Sequence, residues 1–136
     1  MFEQYDNSAR RTVFFARYEA GQLGAREITV EHLLLGLIRE DPLALLPFLA
    51  EVETLRQQVE AGLGQRFCVE LAAEMLLARS AKKSLQAALD EARRLQHKHV
   101  TMRHLLFGIV SQIDSEAARL LAAHGMNPES VRATLC

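Results

Sequence analysis

The sequence predicts an all-α fold: an eight-helix bundle made of two four-helix repeats related by a pseudo-twofold axis. Three observations predict it. The stretch Thr29-Val30-Glu31-His32-Leu33-Leu34-Leu35-Gly36-Leu37-Ile38 returns as Thr101-Met102-Arg103-His104-Leu105-Leu106-Phe107-Gly108-Ile109-Val110, offset by 72 residues. The offset persists upstream, where Ser8-Ala9-Arg10-Arg11-Thr12 answers Ser80-Ala81-Lys82-Lys83-Ser84, and Ala16, Glu19, Ala20 and Leu23 answer Ala88, Glu91, Ala92 and Leu95. Apolar residues in these stretches recur at helical spacing, and a fixed-period self-match over many positions marks an internal duplication. We divide the chain into one domain, 1–136, with repeat 1 at about 1–64, a connector at about 65–74 and repeat 2 at about 75–136.

The first helix follows Asp6, Asn7 and Ser8, all good N-cap residues. At about 100° per residue, Ala9, Val13, Ala16, Ala20 and Leu23 fall in one stripe, the face that belongs on a core. Gly24 is the expected stop. Phe14 and Tyr18 lie one turn apart on the opposite side. Their counterparts in repeat 2 are Gln86 and Asp90, while Ala81, Leu85, Ala88, Ala92 and Leu95 reproduce the stripe. A paired aromatic on the back of an amphipathic helix fits a contact surface. A helix sandwiched between repeats, with both rings in the core, fits the sequence too.

Thr29 is the N-cap of the signature helix, which puts Glu31 at N2 and His32 at N3. A carboxylate at N2 complements the helix dipole, and a residue at N3 reaches back to the cap. We therefore expect His32 and His104 to be capping or satisfied core histidines. Gly36 leaves room for another helix to approach closely. Apolar residues surround the axis, so this helix is mostly buried. Pro42 and Pro47 then limit the chain to a short helix around 43–50. Glu53 to Glu60 resumes an amphipathic helix with Leu55 and Val59 inward, and Gly62 and Gly64 end the repeat.

The connector, Gln65 to Glu74, has neither the Gly/Ser nor the Pro content of a free linker. Met75-Leu76-Leu77 is expected to be helical and to run into the Ser80 helix. In repeat 2, Thr101 is the cap, and Arg103 stands where repeat 1 has Glu31, a cation opposing the dipole. Ser115 caps a helix through Ala117, Leu120 and Leu121 that stops at Gly125. Asn127-Pro128 reads as N-cap and N1 of a last helix with Val131 and Leu135 inward. That helix answers the one at 51–59 at an offset of 76, so repeat 1 is about four residues shorter near its prolines.

Composition narrows the function classes. Net charge is −1 with no basic tail, so the electrostatic footprint of a nucleic-acid binder is missing. No apolar run approaches the ~20 residues needed to span a bilayer, and the N-terminus lacks the charged and apolar regions of a signal peptide. Cys68 and Cys136 match no metal spacing, and a reduced, cytoplasmic setting is the simplest reading. His97, His99 and His104 lie close in sequence, but no Cys or carboxylate completes a metal-ligand spacing. There is no G-x-x-x-x-G-K-S/T run, no G-x-S-x-G elbow and no paired Cys–His. An enzyme is not expected, nor a cofactor.

The arrangement resembles the double Clp N-terminal domain at the front of Clp/Hsp100 AAA+ unfoldases of the ClpA, ClpB and ClpC types. The resemblance rests on Phe2 and Tyr5, Ser8-Ala9-Arg10-Arg11, Glu19-Ala20 through Leu23-Gly24, and Gly125-Met126-Asn127. It rests above all on Thr29 to Ile38, close to the family's T-E-H-I-L-L-G-L box, and its degraded copy at Thr101 to Val110. The resemblance implies a non-catalytic module that recruits substrates or adaptor proteins to an ATPase ring, and, in the ClpC-like branch, an acidic residue in each box that recognises phosphorylated arginine. Glu31 matches that residue and Arg103 does not. The partner-binding candidates are therefore Phe14, Tyr18, Glu31, Arg10 and Arg11, with Arg103, Lys82 and Lys83 marking a degenerate second site. Phe14, Tyr18, Pro42 and Pro47 depart from the family's pattern and suggest a divergent paralogue. Two further readings stay open: a free-standing regulator that competes for Clp partners, and a homodimer that hides the two aromatic rings. Monomer and weak dimer are both compatible with the sequence.

Overall fold

A computed structural model of the protein describes residues 3–45, 52–63 and 76–135. The expectations that fall elsewhere (Phe2, Pro47, the second half of the proline-broken helix, Gly64, the connector, Met75 and both cysteines) lie outside the described residues. Among the described residues the fold is all-α: seven α-helices and one 3-10 helix, with four residues in strands. The helices are α1 (Asn7–Gln22), α2 (Val30–Glu40), α3 (Val52–Leu63), α4 (Arg79–Arg94), α5 (Met102–Val110), α6 (Glu116–Ala122) and α7 (Pro128–Ala133). Where the eighth helix is expected, the described residues hold a 3-10 helix over Pro42–Leu45. Pro42 starts it, and Asp41 at its head accepts the Leu43 N–H through Oδ1 at 3.0 Å.

The signature helices are the centre of the molecule. In α2, eight of eleven residues are buried, from Val30 to Ile38 except Glu31; in α5, eight of nine are, all but Arg103. A helix apolar around its whole circumference must be enclosed by others. α2 packs on α1 and α5 on α4, and α2 and α5 also touch each other. The close approaches occur at the paired glycines. A Cβ on Gly36 would strike the Thr12 carbonyl oxygen and come within 2.6 Å of the Ala16 nitrogen; one on Gly108 would strike the Ser84 carbonyl and come within 3.3 Å of the Ala88 Cβ. The 72-residue offset carries each member of the first set onto the second.

The stretch before α4 corrects one expectation. Leu76–Leu77 is not helical; it is a strand, β2, paired in parallel with β1 (Glu27–Ile28). The exchange has a counterpart, a parallel bridge between Tyr5 and Val100. Adding 72 to Ile28 gives Val100, and adding 72 to Tyr5 gives Leu77. The backbone bonds obey the same rule: Asp6 N–H donates to the Val100 carbonyl at 2.9 Å, and Ala78 N–H to the Ile28 carbonyl at 2.8 Å. Each repeat's leading segment is thus stitched to the other repeat, just before that repeat's signature helix. Helix propensity alone favoured a continued helix at Leu76-Leu77, but extended pairing gives those backbone groups partners in the other half. On this symmetry we propose that the repeat boundaries read from the sequence describe how the chain is organised.

A second pair of interactions ties the last helix of each repeat to its first. Glu19 and Glu91, on α1 and α4, are buried, at 4% and 3% exposure. Glu19 Oε1 accepts from Arg39 and Arg56, both at 3.3 Å. Glu91 receives two guanidinium forks, from Arg94 at 2.8 and 2.9 Å and from Arg132 at 2.8 and 3.1 Å. Arg56 and Arg132 are 76 positions apart, matching the shifted register of the last helices. Leu55 and Val59 are buried, and so are Val131 and Leu135, their counterparts 76 positions on.

Candidate functional site

The aromatic pair on α1 lies at the surface. The helix starts at Asp6, whose carboxylate accepts the Ala9 N–H at 2.8 Å, and turns its small residues Ala9, Ala16 and Ala20 inward. That leaves Phe14 64% and Tyr18 43% exposed, the alternative of two core rings being excluded. Arg10, Phe14 and Tyr18 follow at intervals of four, one above another. The Arg39 guanidinium lies 4.6 Å from the Tyr18 ring centre and 5.4 Å from that of Phe15, within cation–π range. Phe15 in turn meets Phe14 edge to face at 5.7 Å. Arg11, on the neighbouring flank, is held by Glu40 through Nε at 2.7 and 2.9 Å. Arg10 lies over the Glu3 carbonyl at 3.4 Å. On α4 the same face is polar, with Gln86 donating to Asp90 at 2.9 Å.

Glu31 and Arg103 do not join this face. The Glu31 carboxylate accepts the Ala117 N–H at 3.0 Å, at the N-terminus of α6. Arg103 approaches the Thr134 carbonyl, 3.5 Å away, at the C-terminal cap of α7. Each charge therefore sits at the end of a neighbouring helix whose dipole it complements; Glu31 also complements that of its own helix. Arg103 opposes the dipole of α5, as its position predicts, and meets a favourable one across the contact. Lys82 and Lys83 are exposed on α4. Lys83 borders a shallow cleft of about 370 Å³ that it shares with Arg79, Ser80, Ile113 and Asp114.

Sequence reasoning missed a difference at the two histidines. Both act as caps: Nδ1 of His32 accepts the Thr29 N–H at 2.9 Å, and Nδ1 of His104 accepts the Thr101 N–H at 2.9 Å. Both are 2% exposed. Burial pushes His32 down to about 4 and lowers His104, with His97 beside it adding to the effect. Both rings are therefore neutral near pH 7. With Nδ1 accepting, the remaining proton is on Nε2. On His104 that Nε2–H meets Nδ1 of His97 at 2.8 Å, the rings edge to face at 5.0 Å. On His32 it meets nothing: His32 Nε2 is the buried side-chain polar atom without a partner among the described residues. The residue in His97's place, 72 positions earlier, is Ala25. His32 and Ala25 both line a cleft of about 410 Å³, together with Leu23, Arg26, Glu27, Thr29 and Leu63. The expectation of a satisfied core histidine holds for His104 and fails for the far nitrogen of His32. Reading His97 against Ala25 at the repeat offset would have revealed it.

Residues 4–124 match the family described as the Clp repeat (R) N-terminal domain. The chain belongs to that family. Similar proteins include the "Probable ATP-dependent Clp protease ATP-binding subunit" of Chlamydia pneumoniae, 33% identical over 97% of this chain. Another is the "Negative regulator of genetic competence ClpC/MecB" of Bacillus subtilis, 32% identical over 97%. The chain spans 16% of the length of each. Among solved structures, the N-terminal domain of the chaperone ClpD from Arabidopsis thaliana superimposes with a TM-score of 0.78 at 27% identity, covering 98% of this chain and 95% of that one. The Hsp104 N-terminal domain from Candida albicans shares the fold, with a TM-score of 0.76 at 15% identity over 96% and 88% of the two chains. The all-α Clp N-terminal fold is thus established. No described helix is long and apolar enough to cross a membrane.

Proposed function

We propose that this Clp N-terminal domain is a non-catalytic docking module, which recruits substrates or adaptor proteins to a Clp-type AAA+ unfoldase. The observation that carries the proposal is the exposed row of Phe14 and Tyr18 on α1, beside Arg39 of α2. Aromatic and Arg side chains are the residues in which protein-binding energy concentrates. Phe14 and Tyr18 sit on α1, whose other face is locked into the core, and Arg39 reaches Tyr18 from α2. Neutral or polar residues would serve folding equally well at these positions, as Gln86 and Asp90 do on α4. The docking role needs no reactive group, and partner binding through this face would be of the surface-to-surface kind.

The test is retention of a Clp ATPase, peptidase or adaptor from the native lysate by the immobilised domain. Phe14→Ser with Tyr18→Ser should weaken retention by about tenfold or more while moving the melting temperature little. Unchanged retention with a sharply lowered melting temperature would assign the rings to stability and end the proposal.

A narrower version has Glu31 receive the guanidinium of phosphoarginine, whose planar fork suits a carboxylate. The ligand would then compete with the Ala117 amide for the same group. Calorimetric titration of free phosphoarginine into wild type and Glu31→Ala decides it: heat from wild type alone supports the role, and no heat from wild type removes it.

A further inference from the structure

We infer that the cleft at His32 is a binding site for a flat, neutral hydrogen-bond acceptor of imidazole size. The inference stands apart from the aromatic face on α1, and goes beyond partner docking there. Its basis is the second repeat, which already contains the complex. There, the imidazole of His97 is seated on His104, with its Nδ1 accepting the buried Nε2–H at 2.8 Å and its ring packed edge to face. In the first repeat the cap that forms the receptor is kept. Thr29 and His32 form the same cap, with the same nitrogen accepting and the same nitrogen left to donate.

The element that differs is the occupant, because Ala25 carries a methyl group where the second repeat carries an imidazole. The backbone leading to that position is matched as well. Ala25 N–H bonds to the Ala20 carbonyl at 2.9 Å, and His97 N–H to the Ala92 carbonyl at 2.8 Å, so the two side chains leave equivalent points of the chain. The cleft lined by Ala25 and His32 has a volume of about 410 Å³, in the range of small-ligand sites and more than one five-membered ring requires. It can therefore admit whatever carries the ring. Leu23 and Leu63 line the cleft with apolar surface, and His32, whose Nε2–H is buried and without a partner among the described residues, lines it too. A buried N–H without a partner is costly, so an acceptor that reaches it is favoured over one of the same shape that cannot accept. A free heteroaromatic compound and a histidine side chain presented by a polypeptide offer the same chemistry.

The experiment uses NMR at about pH 8, above the pKa of an ordinary imidazole, on the whole chain. The probes are imidazole, the tripeptide acetyl-Gly-His-Gly-amide, and pyrrole, which has the same shape but no acceptor nitrogen. Wild type should show a saturable shift of the His32 ring resonances with imidazole, with the tripeptide, or with both, and none with pyrrole. Response to imidazole alone would identify a small-molecule site, and response to the tripeptide alone a side-chain site. Ala25→His, which installs the second repeat's own occupant, should abolish the response. If that variant fails to fold, His32→Gln keeps an N3 capping residue and removes the ring donor, and ligand-detected binding of imidazole should fall at least tenfold. No response in wild type, an equal response in the variants, or pyrrole matching imidazole would overturn the inference. A loss of Clp-partner retention in Phe14→Ser/Tyr18→Ser would leave this result unchanged, so the two readings fail separately.

Discussion

The two halves of this domain share what holds them together and differ in what they show to solvent. Both keep a glycine where the signature helix crosses its neighbour, a buried glutamate bridged to an arginine of the last helix, and a Thr–His cap. Both lend their leading segment to the other half. Against this, Phe14 and Tyr18 face Gln86 and Asp90, Glu31 faces Arg103, and Ala25 faces His97. The buried devices are constrained by close packing, where a single added carbon is felt. The surface positions are free of that constraint and have separated in charge, size and polarity. The difference between the halves is therefore the place to look for function, and their sameness the place to look for stability.

The sameness can be broken at the glycines. Gly36→Ala and Gly108→Ala each place a Cβ against helix backbone, which cannot move aside as a side-chain tip can. Each variant should lose at least about 3 kcal/mol, at the upper end of overpacking penalties, and denaturant titration would measure it. A cost confined to one of the two would show that the repeats are not packed alike.

Acid titrates buried groups in both halves. The folded-state pKa of His32 lies at about 4, below its ordinary 6.5, through burial. The unfolded chain therefore binds a proton that the folded chain refuses, and this contribution to stability is complete above pH 6.5 and lost as pH falls toward 4. The loss from His32 is on the order of 3 kcal/mol across that window. His32→Gln, which preserves a capping residue at N3, should flatten the fall in unfolding free energy between those pH values. Glu91 acts lower. The hydrogen bonds from Arg94, then Arg132, hold it at about 2 against 4.5, so its contribution is present above pH 4.5 and lost as pH falls toward 2.

The glutamate bridges offer a graded comparison. Glu91 accepts four bonds from two forks, whereas Glu19 accepts two longer ones on a single oxygen. Glu91→Gln should cost about 2 kcal/mol and Glu19→Gln about 1, since bonds to ionised groups weaken with length and count. Equal losses in urea melts would mean that the guanidinium groups, less exposed around Glu19 than around Glu91, find water as readily in either repeat.

Much of this was legible before any coordinates. The duplication, the caps at Thr29, Thr101, Ser115 and Asn127, the crossing glycines and the 76-residue register of the last helices all follow from local pattern or self-match. What escaped depends on contacts distant in sequence. Two residues of strand, Leu76-Leu77, carry no period to detect. Glu19 and Glu91 look like ordinary solvent-facing charges on amphipathic helices, and only their arginines, far along the chain, make burial possible. Glu31 reads as a free N2 carboxylate because its acceptor role is played toward Ala117, 86 positions away. At 42–45, the described part of the proline-broken segment, the chain forms a 3-10 turn, a form that suits pieces of three or four residues.

The smallest effect tests the ends of the two long helices. Both finish in the same motif: Gly24 N–H bonds to Gly21 and Ala25 N–H to Ala20 in the first repeat, Gln96 N–H to Arg93 and His97 N–H to Ala92 in the second. Each requires a left-handed residue, with φ of 71° at Gly24 and 58° at Gln96. A side chain costs roughly 1–2 kcal/mol in that conformation, so Gln96 carries strain that Gly24 does not. Glycine at that place also loses more backbone freedom on folding, which returns about 0.4–1 kcal/mol of the gain. Gln96→Gly should therefore stabilise the domain by a few tenths to about 1 kcal/mol, and Gly24→Ala destabilise it by a similar amount. Because position 96 directly precedes His97, the variant should also leave the His97–His104 contact intact, visible as unchanged ring resonances of His104. A stabilised variant whose His104 resonances move would mean that the strained residue aims the imidazole, and that the second repeat keeps its occupant at some cost to the helix end.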